Sequence, residues 1–165
     1  MNKIRNRKNN KGFSLVELII VIAIMAVLIV VLAPQYLKYV ERSRNSTDLQ
    51  NATEIVTALQ VYGSDPEATE AIPAEGSSVT VKVDTNDTAT VTGDFAVAAL
   101  KDAGLANASG DLTMRCQSKT TWTSYTITAT SKNGGLEFSY SNEGGKGATA
   151  FADAMAGKKG TTTTE

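Results

Sequence analysis

The chain has 165 residues, a formal net charge of −1, no histidine and one cysteine, Cys116. A lone cysteine excludes an internal disulfide, and the lack of histidine removes the commonest acid–base and metal-binding side chain. Lys3, Arg5, Arg7, Lys8 and Lys11 take five of the sixteen basic residues into the first eleven positions, which leaves eleven against seventeen acids beyond them. Such an acidic remainder lacks the basic face that general phosphate or nucleic-acid binding requires.

Met1 to Gly12 is polar, basic and asparagine-rich, and reads as a leader outside the fold. Phe13 to Ala33 is about 21 residues long, close to the roughly 20 that span a bilayer as a helix. The apolar run is unbroken from Leu18, with one acid, Glu17, just inside its start. The positive flank places the amino end in the cytoplasm and the carboxyl end outside. An ordinary secretory signal would be cut after the run, at Val31-Leu32-Ala33, directly before Pro34. The run is also longer than the usual h-region of 7–15 residues, roughly half of it again. Pro34 has no amide hydrogen and crowds the carbonyl of Val30, which predicts a kink.

The stretch Lys11-Gly12-Phe13-Ser14-Leu15-Val16-Glu17-Leu18 resembles the class III signal of type IV pilins and pseudopilins. The resemblance implies that a prepilin peptidase cuts between Gly12 and Phe13 and methylates the new amino terminus at Phe13. It implies that Glu17 is the family's assembly acid and that Pro34 is its helix proline. A carboxylate and an ammonium are each costly alone in hydrocarbon, so pairing Glu17 with a neighbour's terminal amine would compensate both and fix axial register. The implied partners are further copies in a helical filament, the peptidase, an assembly ATPase and a platform protein, with the membrane as the precursor's home. No cofactor and no metal are implied. Many pilins of Gram-negative bacteria close a C-terminal loop with a cystine. This chain departs from that pattern, so either calcium, packing or intersubunit contact takes the cystine's place, or the chain comes from a lineage that does without one. Cys116 itself reads as a small buried hydrophobe.

After Pro34, the residues Leu37, Val40, Leu49, Ala52, Ile55, Val56, Leu59 and Tyr62 recur at three- and four-residue spacings. Lys38, Glu41, Arg42, Arg44, Asp48 and Glu54 fall largely elsewhere, which predicts an amphipathic continuation over 34–63. Gly63 reads as its C-cap, ahead of Pro66. Asp65 to Ser78 reads as a loop, in the place of the family's αβ-loop. Val79, Val81 and Val83 alternate as a strand, Asp84 to Asp87 turn, and Thr88 to Thr92 return. Asp84, Asn86 and Asp87 are read as an acidic turn, not as a calcium site. Asp94 is placed as the cap of a short helix ended by Gly104. Leu112 to Ser118 reads as a strand. Trp122 to Thr130 and Leu136 to Tyr140 alternate around Ser131-Lys132-Asn133-Gly134-Gly135 and form the clearest hairpin. Ala148 to Met155 fits a short helix or a loose strand, and Lys158 to Glu165 is a polar tail.

The expected fold class is α+β: one long amino-terminal helix whose outer half packs on a three- or four-stranded antiparallel sheet. The expected division is leader 1–12, membrane or filament-core helix 13–33, amphipathic continuation 34–63 and β-rich head 64–165. The expected function is that of a non-enzymatic pilus subunit. The alternatives are a pseudopilin of a secretion or competence system, and a single-span anchor carrying a binding or sensor ectodomain.

Overall fold

The computed structural model describes residues 12–85 and 89–158. The basic leader up to Lys11, the turn positions Asn86 and Asp87, Thr88 and the tail beyond Lys158 lie outside the described residues. The chain divides into two units, one up to Tyr39 and one from Val40 onward. One helix, α1 (Leu15–Ser64), contributes to both.

In the first unit α1 is apolar on every side, and no residue of it is buried. The helix continues through Pro34. In the second unit the same helix becomes amphipathic. Ala52, Ile55, Leu59 and Tyr62 are buried at steps of three and four, which puts them on one face. The helix ends at Ser64. Gly63 is not the left-handed cap that its sequence position predicts; it lies within the last turn, and an added Cβ would sit 3.4 Å from the ring of Phe95. Leu37, expected on the buried stripe, is exposed.

That stripe is covered by a four-stranded antiparallel sheet in the order β2-β1-β3-β4. The strands are β1 (Ser78–Asp84), β2 (Thr90–Thr92), β3 (Ser124–Lys132) and β4 (Gly135–Glu143). The register sets Val79 opposite Ala129, Val81 opposite Ile127 and Val83 opposite Tyr125. On the other side of β3, Phe138 faces Ala129 and Tyr140 faces Ile127. Period-two alternation therefore gathers the valines, Ile127 and the rings on one face, and Thr80, Lys82, Thr126, Thr128 and Ser139 on the other. Each large apolar side chain buried this way contributes about 1.5–3 kcal/mol. The hairpin turn is tighter than the sequence suggests. Only Asn133 and Gly134 leave the ladder, with φ of 52° and 75°, the pair of left-handed residues that suits the twist of the flanking strands.

Helix α2 (Asp94–Asp102) follows β2 and closes one side of the core with Phe95, Ala96, Ala99 and Leu100. Its N-cap is Gly93, not Asp94, which is already helical and makes no capping bond. Gly93 has φ of 99°, and a Cβ there would lie 2.5 Å from Val79 Cγ1, so the close crossing over β1 requires glycine. Gly104 ends α2 as the sequence predicts. Its N–H donates to Lys101 O at 3.0 Å, and that of Leu105 donates to Leu100 O at 2.8 Å, the paired bonds of a Schellman end.

The predicted strand Leu112–Ser118 is not one. Leu112 makes only an isolated bridge with Ala106, Cys116 N–H donates to Asp84 O at 3.0 Å, and the amides of Gln117 and Ser118 are drawn to Asp48 of α1. The ambiguous Ala148–Met155 resolves as a short helix, α3 (Ala150–Met155). Its Phe151 is fully buried, stacked on Tyr125 at 4.5 Å and edge-on to Trp122 at 5.1 Å. Asn142 of β4 fastens the segment: its side chain accepts the N–H of Phe151 and donates to Gly147 O at 2.9 Å. Packing thus holds the C-terminal segment in this chain. Phe151→Ala is expected to destabilise the fold by about 3–5 kcal/mol, since it empties a ring-sized site between three aromatic neighbours. Urea unfolding of the detergent-solubilised protein, followed by Trp122 fluorescence, measures it.

Candidate functional site

Gly12, Phe13 and Ser14 precede the helix in non-helical backbone, and Phe13 is 92% exposed. Ser14 is the residue before the first helical turn, and its N–H donates to Glu17 Oε2 at 2.9 Å. The spacing Ser-x-x-Glu is that of a capping box, in which the third helical residue reaches back to an amide the helix leaves unpaired. A carboxylate here also suits the positive end of the helix dipole. Glu17 thus has a local partner in the isolated chain.

Beyond it the helix presents Leu18 to Leu32 with more than half of each large apolar side chain exposed. By length and composition the segment is able to cross a membrane. Left in water, each such side chain forgoes about 1.5–3 kcal/mol of burial, so the segment requires lipid or other apolar helices around it. The chain therefore fits a membrane-anchored precursor. Pro34 lies two positions past this stretch, inside continuous helix.

A second site lies where α1 enters the head. Glu41, Asn45 and Asp48 continue the buried stripe backward from Ala52 at the same steps of four and three. They meet the loop at 116–122, whose first residues the sequence predicts as the end of a strand. Glu41 Oε1 accepts the successive amides of Lys119 at 2.9 Å, Thr120 at 2.8 Å and Thr121 at 3.2 Å, together with Ser118 Oγ at 2.7 Å. Asn45 donates to Thr121 Oγ1 at 2.8 Å. Asp48, wholly buried, accepts Gln117 N at 2.7 Å, Ser118 N at 3.0 Å and the indole N–H of Trp122 at 2.8 Å. Consecutive amides turned toward one oxygen form an anion-binding concavity, and here the anion is the protein's own.

Burial alone would raise the Glu41 pKa. The bonds from Thr120, Ser118, Lys119 and Thr121 outweigh it and hold the carboxyl at about 2, against an ordinary 4.5. Cys116 behaves in the opposite sense. Burial, then the adjacent Asp48 carboxylate, push its thiol up to about 12, and it donates to Asp48 Oδ2 at 3.4 Å. It is buried, as the sequence implies, and kept as an unreactive thiol. Burial likewise raises the phenol of Tyr125, which stays neutral beneath the sheet.

The sequence-predicted residues Gly12, Phe13 and Glu17 therefore lie together at the start of α1, with Pro34 further along the same helix. Glu41 and Asp48 were sorted by sequence with the solvent-facing charges; the structure corrects this. The signal that finds them is their place on the seven-residue rhythm of the buried stripe. The residues that bind them, some 70 positions away, carry no comparable mark.

A family model described as the prokaryotic N-terminal methylation motif matches residues 7–33. The chain carries that motif, the signal that sequence analysis likens to the one of type IV pilins and pseudopilins. No solved structure matches the chain.

Glu41 titrates below its ordinary value when folded, so on acidification the unfolded chain takes up the proton first. The stability Glu41 contributes is complete above pH 4.5 and is lost as pH falls toward about 2. Glu41→Gln is expected to cost on the order of 2 kcal/mol near neutral pH, after allowance for solvent screening, and to flatten this part of the stability profile. Asp48→Ala should cost more, about 3–5 kcal/mol, because buried donors lose their partner. Thermal unfolding of wild type and both variants across the acid range checks the sign and the order.

Proposed function

We propose that the chain is the precursor of a type IV pilus-like filament subunit. The observation that carries this reading is the methylation motif at residues 7–33, ending in a helical stretch whose large apolar side chains from Leu18 to Leu32 are all exposed. In this reading a prepilin peptidase cuts between Gly12 and Phe13 on the cytoplasmic side, and Phe13 becomes the methylated first residue. Residues 13–33 form the membrane helix, 34–63 its amphipathic continuation and 64–165 the head. The exposed, non-helical backbone of Gly12 and Phe13 supports the cut, since a peptide bond outside a helix is the more accessible one.

Assembly is an exchange of apolar surroundings. An assembly ATPase and a platform protein lift the subunit from the membrane. Lipid contacts around Leu18 to Leu32 are replaced by contacts with neighbouring helices, so the apolar area stays covered throughout. Glu17 exchanges its local bond with the Ser14 amide for the terminal ammonium of an adjacent copy, which fixes axial register. Pro34 gives the helix a point of bending, because the Val30 carbonyl lacks its usual donor. The role is structural and asks for no catalytic group. A pseudopilin of a secretion or competence system would use the same signal, and long fibres at the cell surface distinguish the two.

Mass spectrometry of sheared surface material tests the reading. The expected result is an amino terminus at Phe13 carrying an added methyl, in fibres that pellet. Glu17→Ala is expected to leave a processed subunit that incorporates poorly. A terminus at Met1, confined to membranes, would overturn the filament reading in favour of a single-span anchor.

A further inference from the structure

Within the head, α1 and α2 border an open groove of about 430 Å³. Its lining is apolar despite the residue types. Thr53 and Thr57 donate their hydroxyls to the helix carbonyls of Leu49 and Thr53, each at 2.8 Å, which leaves their methyl groups to the groove. Ala99 adds further apolar surface, and Val61 is 63% exposed at its side.

Two acids flank this surface, Glu54 and Asp102. Among the described residues Glu54 takes only the amide of Gln50, at 3.2 Å. Neither acid has a cation within ion-pair distance among the described residues. Asp102 ends α2, where the helix dipole disfavours an anion, and its neighbour Lys101 does not pair with it. The groove is thus an apolar floor between two uncompensated negative charges.

The same chain carries the complementary surface. Tyr36 and Leu37 of α1 are 67% and 65% exposed, and Lys38 beside them has no acidic partner among the described residues. They follow the apolar run and lie beyond the roughly 20 residues that a bilayer covers.

We propose that the groove docks a second copy of this chain, which seats Leu37 on the apolar floor, with Tyr36 and Lys38, each about 100° around the helix from it, against the two walls and Lys38 toward the acidic rim of Glu54 and Asp102. The inference rests on the filament reading and names the surface by which heads would grip neighbouring helices. It is helix-in-groove recognition, with an apolar anchor for affinity and a cation on the acidic rim for register.

The test uses the full chain in cells that assemble it, with the groove and the helix each given a cysteine. Cys116 is 2% exposed and bonded within the head, so it stays out of the reaction. Sheared fibres of L37C/T57C, mildly oxidised, should run as a cross-linked ladder on non-reducing gels, while L37C and T57C alone should run as monomer. Independently, K38E should lose fibres, E54K/D102K should lose fibres, and K38E/E54K/D102K should recover them. Fibres of L37C/T57C that stay monomeric would overturn the proposal, as would a T57C cross-link to a protein of another mass. Normal fibre yield from K38E would overturn it too, and would leave Tyr36 and Leu37 as an interfacial belt against lipid headgroups. If the cysteine pair itself blocks assembly, the charge-reversal set decides. A wild-type chain that makes no fibres would instead overturn the filament reading on which the interface rests.

Discussion

Asp48 holds the head together from inside. It is wholly buried, and it is tolerated there only because Gln117, Ser118 and the Trp122 indole surround it with donors. Those bonds turn the loop at 117–122 toward α1, just past Cys116, whose own N–H still donates to Asp84 O at the end of β1, and Trp122 of the same loop packs edge-on to Phe151. Glu41, two turns earlier, repeats the device with the next amides of the same loop. A loop whose own backbone donors point at a carboxylate cannot also pair as a strand. The path of the loop beyond Cys116 follows from that competition.

The helix that carries these acids lives under two solvation regimes. Up to Leu32 it is apolar all round, which is stable only where its entire circumference meets hydrocarbon or other helices. From Glu41 onward a single stripe is covered, first by polar donors and then by the valines of β1 and the residues of β3. Lys38, Glu41, Arg42 and Arg44 lie at the change-over. Drawing that segment into lipid would strip Glu41 of its donors, and an unpaired carboxylate in hydrocarbon is costly. The polar clamp thus sets how far along α1 an apolar environment is able to reach.

Much of the fold was legible in the sequence because it depends on local rhythm. Alternation placed β1, β3 and β4, the run Ser131 to Gly135 marked the hairpin turn, within which only Asn133 and Gly134 leave the ladder, and Gly104 placed the end of α2. The signal at Gly12 to Glu17 was equally local, since its residues must agree in spacing over a few positions. Leu112–Ser118 failed for a non-local reason. Its residues suit a strand, but the donors of Gln117 and Ser118 are claimed by a side chain about 70 positions earlier. Glu41 and Asp48 failed for the mirror-image reason. Charged residues at helix spacing usually face water, and nothing near them in sequence announces the amides that bind them. Leu37 was misplaced because periodicity marks a stripe but not where its cover begins.

Cys116 shows how the chain manages with one cysteine. A cystine would restrain the C-terminal segment chiefly by limiting the unfolded chain. Here the restraint acts on the folded state. Phe151 fills a site bounded by Tyr125, Trp122 and Tyr140, and Asn142 supplies both a donor and an acceptor to the backbone around it. The two devices respond differently to their surroundings. A cystine depends on the redox poise of its compartment, whereas ring packing and amide bonds do not. Cys116, buried and pushed far above the usual thiol range, takes no part in either. The head's closure is accordingly indifferent to reductant, and it depends instead on the fit of one phenylalanine between three rings.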